Sequence, residues 1–130
     1  MAHYLDTSAL AKLVVAESET SALRAWLAEA DRTPVSCDLA RTELMRAVRK
    51  VAPDRLQQAR AVLDSVALAG VPALLFEQAG RLDPVSLRSL DAIHLACALN
   101  LGDDLDALVT YDDRLAVAAR HCGVSVIAPA

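Results

Sequence analysis

Ser89-Leu90-Asp91-Ala92-Ile93-His94-Leu95-Ala96-Cys97-Ala98-Leu99-Asn100 is the stretch from which the rest of the chain is read. Ile93, Leu95, Ala96, Cys97, Ala98 and Leu99 leave no polar face, so a helix here is enclosed by protein on all sides. Its readily charged groups, Asp91 and His94, both fall near the first turn. An isolated carboxylate is costly to bury, so it must pair, protonate or hold a metal. Asp91 also fits a plain helix cap facing the N-terminal dipole. What widens the reading is that three other segments carry a similarly placed acid.

Upstream, His3-Tyr4-Leu5-Asp6 is a short apolar run ending in an acid, and Thr7-Ser8 leads into an apolar helix from Ala9 to Val15. This is strand, turn, helix, with Asp6 at the carboxyl end of the strand. Ser18 and Glu19 open an amphipathic helix through Leu23, Trp26, Leu27 and Ala30. Pro34-Val35-Ser36 is a second strand. From about Asp38 to Val51, helical spacing puts Ala40, Leu44, Ala47, Val48 and Val51 on one stripe, with Glu43 at its edge. Pro53 opens a further helix carrying Leu56, Ala59, Val62 and Leu63. Val66 to Val71 is a third strand, and a helix from Ala73 to Leu82 is stopped by Asp83-Pro84. Downstream, Leu105 to Thr110 is a fourth strand, and Tyr111-Asp112-Asp113 starts a helix from Leu115 to Arg120 that Gly123 closes. Ser125-Val126-Ile127 is a last strand. Strands alternating with helices make an α/β fold, its sheet mostly parallel and covered on both faces. One compact domain over residues 1–130 is expected.

Composition supports this and removes other classes. Hydrophobic residues make up 55% and only four are aromatic, which favours helices packed on a sheet over a β-sandwich. No apolar run reaches the ~18 residues of a membrane span, and the N-terminus lacks the basic start and apolar core of a signal peptide. A cytoplasmic protein without a membrane partner is expected. Cys37, Cys97 and Cys122 are odd in number and have no Cys-x-x-Cys spacing, so reduced, buried thiols are expected rather than a zinc site. The net charge of −4 argues against a simple electrostatic nucleic-acid binder. Without Asp6, Glu43, Asp91, Asp112 and Asp113, however, 12 acids face 13 Lys and Arg, a surface near neutrality.

In an open parallel sheet, ligands bind beyond the carboxyl ends of the strands. Asp6 ends one strand and Asp112 closely follows another, while Asp91 and the inward-facing Glu43 are placed to complete a ring around one cavity. Like charges so gathered need a cation. All-oxygen ligands without clustered Cys or His select Mg²⁺ or Mn²⁺. That set suits phosphodiester hydrolysis by a metal-activated water. Replacing Asp6, Glu43 or Asp91 should then abolish activity, and relief of repulsion should raise metal-free stability. Each acid also has a local alternative: Asp112 or Asp113 as helix cap, Asp6 as turn residue, Glu43 in a salt bridge with Arg46 or Arg88.

Tyr4-Leu5-Asp6-Thr7-Ser8-Ala9, Thr42-Glu43, Leu90-Asp91-Ala92-Ile93-His94-Leu95-Ala96 and Val109-Thr110-Tyr111-Asp112 resemble, in order and spacing, the PIN-domain ribonucleases, especially VapC toxins of type II toxin–antitoxin pairs. The likeness runs through Gly123-Val124 and Val126-Ile127, essentially the whole chain. It implies a three-layer α/β/α fold with a central five-stranded parallel sheet, Mg²⁺-dependent cleavage of RNA, a homodimer, and inhibition by a partner antitoxin. Asp6, Glu43, Asp91 and Asp112 match the family's acidic quartet as catalytic residues and metal ligands, and Asp113 stands at a fifth, variable position. Thr7, Ser8 and Thr110 match residues that support the site through hydrogen bonds, and His94 matches a frequent histidine with a core or supporting role.

For RNA contact, Arg41, Arg46, Arg49, Lys50 and Arg88 are the cations to consider, against the alternative of a solvated helix face. Aromatic residues for stacking are scarce, so RNA shape is expected to matter as much as stacking. Two other readings compete. In one, Asp6 is the nucleophile of a phosphoaspartyl domain, a receiver or a haloacid-dehalogenase-like phosphatase. Asp6-Thr7-Ser8 lacks the phosphatases' second Asp, and the only lysines are Lys12 and Lys50. In the other, the chain is a non-catalytic PIN-like binding module.

Overall fold

The computed structural model describes residues 1–130. β1 (Ala2–Leu5) is followed by α1 (Thr7–Lys12) and α2 (Thr20–Ala28), and β2 (Thr33–Cys37) by α3 (Leu39–Val51) and α4 (Leu56–Ser65). β3 (Ala67–Ala69) precedes α5 (Ala73–Ala79) and α6 (Ser89–Leu99). β4 (Leu105–Val109) precedes α7 (Asp113–His121), and β5 (Val126–Ile127) ends the sheet. All four pairings are parallel, in the order β3-β2-β1-β4-β5. The chain thus winds outward from β1 through β2 to β3, then returns to the other side for β4 and β5. A topological switch point falls between β1 and β4, and an open α/β sheet leaves its binding crevice at the carboxyl ends of such a pair.

Alternation along the two central strands divides the core. Leu5 and Val109 join Ala9, Leu10, Leu44, Val48 and Leu63 in a cluster between the sheet and α1, α3 and α4. Tyr4 and Leu108 face the other way, packing with Leu95, Ala98, Leu115, Ala118 and Ala119 of α6 and α7. Three layers result because successive strand side chains point to opposite faces and both sets are apolar. No helix is long and apolar enough to cross a membrane.

The expected elements are present, with differences at their ends. α1 stops at Lys12 rather than Val15, because the chain turns there and Thr20 Oγ1 donates to the Lys12 carbonyl (2.8 Å). α5 ends at Ala79, three residues before the expected Leu82. On α6 the enclosure begins one turn late: Leu90 is 47% exposed, whereas Ala92 and residues 94–98 are buried. Val51, expected on the apolar stripe of α3, is exposed at its last position. All three cysteines are free, but only Cys37 and Cys97 are buried; Cys122 caps the frayed end of α7 in solvent. Gly123 takes φ +80°, the left-handed conformation that closes that helix.

Candidate active site

Four segments deliver the acids to the switch point. Asp6 follows β1 directly and is still held by the ladder, its N–H donating to the Val109 carbonyl (3.3 Å). It is also the N-cap of α1 and is buried. Asp112 follows β4 by three residues and caps α7, its Oδ1 accepting from Arg114 N (2.9 Å) and Leu115 N (3.1 Å). Glu43 lies in the second turn of α3, and Asp91 in the first turn of α6. Asp112 is therefore the helix cap its local alternative made it, and Asp6, for which a turn role was the alternative, caps α1; both roles are compatible with facing the crevice. For Asp91 the capping alternative fails, since α6 has no side-chain cap bond and its N-cap position is Arg88.

The carboxylates feel one another. Asp91 is raised above the usual carboxylate range, first by burial and then by the charges of Asp112 and Asp6, with Glu43 adding to the effect and His94 opposing it. Asp6 is raised too. Burial outweighs hydrogen bonds from Ser8, Thr110 and the Ala9 N–H, and the nearby charge of His94. Glu43 goes the other way. Burial pushes it up, but hydrogen bonds from His94 and Thr7 dominate and hold it low.

Each acid is anchored differently, and each retains an open acceptor. Asp6 Oδ1 accepts from Ser8 Oγ (2.7 Å) and Ala9 N (3.1 Å), and its Oδ2 accepts from Thr110 Oγ1 alone (2.7 Å). Glu43 Oε1 accepts from Thr7 Oγ1 (2.7 Å) and from His94 Nε2 (2.6 Å), leaving Oε2 open. Asp112 keeps Oδ2 open, and Asp91 has no hydrogen-bond partner on either oxygen. A carboxylate oxygen has about two lone pairs, so donors fill one oxygen on each of three acids, while the other stays free on Glu43 and Asp112 and keeps one lone pair on Asp6. No group of three or more His, Cys, Asp and Glu side chains is arranged to hold a metal by itself. The open oxygens are instead suited to a hard cation that keeps much of its water shell, as Mg²⁺ does.

Thr7, Ser8 and Thr110 thus bond directly to the acids rather than serving only as turn hydroxyls. Thr110 Oγ1 also accepts from the Asp112 N–H (3.1 Å), and Ser8 Oγ from the Tyr111 N–H (3.0 Å). The turn between β4 and α7 is pinned further: Tyr111 Oη donates to the Pro129 carbonyl (2.7 Å), and Lys12 Nζ lies 4.7 Å above its ring. Lys12 is in turn paired with Glu17 and Glu19.

Glu43 bridges to neither Arg46 nor Arg88; its partner is His94, buried on α6. Tyr4 Oη lies 2.8 Å from His94 Nδ1. Burial disfavours a charged imidazole, but hydrogen bonds to Cys37 and Glu43 outweigh it and push His94 up to about 10. The Tyr4 hydroxyl was not among the sequence candidates. The available signals were the alternation that turns Tyr4 away from Leu5, and the three-residue spacing that puts His94 on the same helix face as Asp91. Asp113 is exposed at the start of α7. Among the basic candidates, Arg41 is paired with Asp38 (2.8 Å), and Arg88 stands exposed before α6. Arg46 and Arg49 lie further along α3.

Comparison with known proteins follows the same lines. The family model described as PIN domain matches residues 3–121. Ribonuclease VapC46 of Mycobacterium tuberculosis (strain ATCC 25618 / H37Rv) is 47% identical over 127 residues, covering 97% of this chain and 96% of the relative. Ribonuclease VapC47 of strain CDC 1551 / Oshkosh is 39% identical over 130 residues, with the same shares. Among solved structures, M. tuberculosis VapC20, described as a Sarcin-Ricin loop cleaving toxin, superposes with TM-score 0.73 at 18% identity, covering 89% of this chain and 94% of that one. Rickettsia felis VapBC2, bound to a DNA fragment from its promoter, gives 0.70 at 15% identity over the full length of both chains. Full-length identity to two VapC relatives, on a sheet whose switch point gathers the four acids, makes this chain a member of the PIN-domain family, in its VapC group.

Proposed function

We propose that residues 1–130 act as one PIN domain, a metal-dependent endoribonuclease that serves as the toxin of a toxin–antitoxin pair in the cytoplasm. The observation that carries this reading is the set of carboxylate oxygens with free acceptor capacity on Asp6, Glu43, Asp91 and Asp112, gathered closely enough that Asp91 feels the charges of the other three. Burial raises both Asp6 and Asp91, and the charges of Asp112, Asp6 and Glu43 raise Asp91 further, as expected where a cation is needed to offset repulsion. Mg²⁺ or Mn²⁺ would be held by Asp6 and Asp91, with Asp112 and Glu43 reaching the same ion or its waters. Once bound, such an ion supplies an activated water and charge neutralisation on the phosphate oxygens.

The protein's own groups do the rest. Ser8 and Thr110 fix the Asp6 carboxylate, Thr7 and His94 fix Glu43, and the α7 cap fixes Asp112. Glu43, held ionised with Oε2 free, orients the attacking water through that oxygen. Of the four aromatic rings only Phe76 is largely open to solvent, in a cavity it lines with Ser89, Ala92 and Ile93 of α6. Tyr4 is buried, Tyr111 is tied to Pro129, and Trp26 is packed between His3 and Arg32. RNA is accordingly read by its shape and backbone. Equal cleavage of a structured RNA and its unfolded counterpart would contradict that reading.

The test is cleavage of RNA by purified protein with Mg²⁺ or Mn²⁺, alongside EDTA and the Asp6→Asn and Asp91→Asn variants. Activity lost in EDTA and in both variants is the expected result; equal cleavage by all would assign it to a contaminant. Mapping new 5′ ends in cellular RNA after brief expression would then identify the substrate. A small DNA-binding protein encoded immediately upstream is the expected antitoxin, and light scattering of the purified chain tests the expected homodimer.

A further inference from the structure

The acids of the pocket repel every phosphate except the one a cation holds, so an RNA strand needs positive charge on its way in or out. On α3, residues 43, 46 and 50 fall on one flank at helical spacing, with 49 beside them and the buried stripe of Ala40, Leu44 and Val48 on the other side. Arg46, Arg49 and Lys50 are exposed and together line one shallow surface depression. None forms a salt bridge, whereas Arg41 on the same helix pairs with Asp38. Like charges three and four residues apart cost a helix a few tenths of a kcal/mol per pair. The helix dipole offsets this for Arg49 and Lys50, which lie in the last turn, but not for Arg46. The rise from Glu43 to Lys50 is about 10 Å, so the cations begin one turn from the acid pocket and lead directly away from it.

We propose that RNA leaves the acid pocket along this flank of α3, its phosphates neutralised by Arg46, Arg49 and Lys50. This rests on the ribonuclease reading and narrows the four arginine candidates: Arg41 points to the opposite flank and is already neutralised by Asp38. A polyanionic backbone fits better than a protein partner because the three charges form one patch that begins a turn from the reacting centre.

The test measures binding apart from cleavage. A labelled mixed-sequence single-stranded RNA is titrated by anisotropy in EDTA over a range of salt, with wild type, Arg41→Ala, and the triple variant Arg46→Ala/Arg49→Ala/Lys50→Ala. All four positions are solvent-exposed, and a melting curve checks that the variants fold. Each neutralised phosphate contributes about 0.7 to the log–log salt slope. The triple variant should therefore lose about 2 from that slope, with at least tenfold weaker binding (~10-fold) near physiological salt, while Arg41→Ala matches wild type. A triple variant with the wild-type slope overturns the proposal. If that variant loses only its binding to a labelled oligoglutamate peptide, the flank belongs to an acidic protein segment instead. Cleavage with Mg²⁺ or Mn²⁺ is scored separately. A wild type that shows the expected slope but cuts no RNA refutes the nuclease reading, not the flank. A wild type that cuts, beside a triple variant with an unchanged slope, refutes the flank alone.

Discussion

Two buried histidines, each paired with a carboxylate, sit toward opposite ends of β1. His3 Nε2 meets Asp106 Oδ2 at 2.8 Å where β1 and β4 begin; His94 Nε2 meets Glu43 Oε1 at 2.6 Å just beyond where β1 ends. The distances are alike, yet the surroundings differ. His3 stands edge-on to Trp26, leaves Nδ1 without a partner, and faces an Asp106 side chain that is 48% exposed. His94 has both nitrogens engaged, and the charge of its acid partner is felt by Asp91. A buried histidine–acid pair is therefore no sign of chemistry by itself. What separates the two is the end of a parallel sheet at which each pair lies, since only at the carboxyl end do α1, α3, α6 and α7 all start.

The strongest way to break this contrast is to neutralise an acid at each end. Asp91→Asn or Asp6→Asn should lower RNA cleavage by at least about a hundredfold, the scale on which a single charge-stabilising group acts. Asp106→Asn should leave cleavage within about twofold, and a comparable loss there would erase the distinction. Next is stability. Glu43→Gln removes the partner of a buried imidazolium and should cost on the order of 2 kcal/mol in metal-free protein. That corrects the expectation that losing any of the three acids is stabilising, because His94 and Thr7 already satisfy Glu43.

The pH dependence follows from the two opposite shifts. His94 is raised, so its contribution is full below about 6.5 and is lost as pH climbs toward about 10. Glu43 is lowered, so its contribution is present above the unfolded carboxylate range and is lost as pH falls through its depressed value. Chemical denaturation across pH should show the gap between wild type and Glu43→Gln widest in the weakly acidic range and shrinking on both sides. A pH-independent gap would mean that packing, not charge, holds this pair.

A smaller effect, of the opposite sign, is expected for Asp91→Asn. Asp91 is raised and has no hydrogen bonds to lose, so its replacement should raise the metal-free melting temperature by a few degrees at neutral pH. The gain should vanish in acid, where the wild-type group is protonated, and added Mg²⁺ should stabilise wild type more than the variant. Smallest of all is Asp106→Asn, whose half-exposed pair should contribute under about 1 kcal/mol.

Much of this was legible along the chain. Short apolar runs alternating with helical periodicity marked five strands and the parallel α/β class, and Asp6 and Asp112 could be placed at one edge because both follow strands. The dense apolar run after Asp91 marked an enclosed helix, whose first turn is nevertheless open at Leu90, and Glu43 was conspicuous as an acid at the edge of an apolar stripe. Strand order was not legible in local pattern, because it depends on which crossovers the whole sheet makes. The switch point between β1 and β4 therefore emerged only in three dimensions. Hydrogen-bond partners were hidden for the same reason: Thr110 reaches Asp6 across 104 residues and His94 reaches Glu43 across 51.

What the sequence by itself determined is the set of elements and the acids at their ends, since periodicity, caps and turn residues act over a few positions. Only the tertiary structure decided that Glu43 is held by a buried imidazole while Asp91 stands unpartnered, that Arg41 is neutralised while Arg46, Arg49 and Lys50 remain free, and that Asp113 faces solvent. Such distinctions depend on burial and on charges brought together from distant segments, and neither exists before the chain has folded.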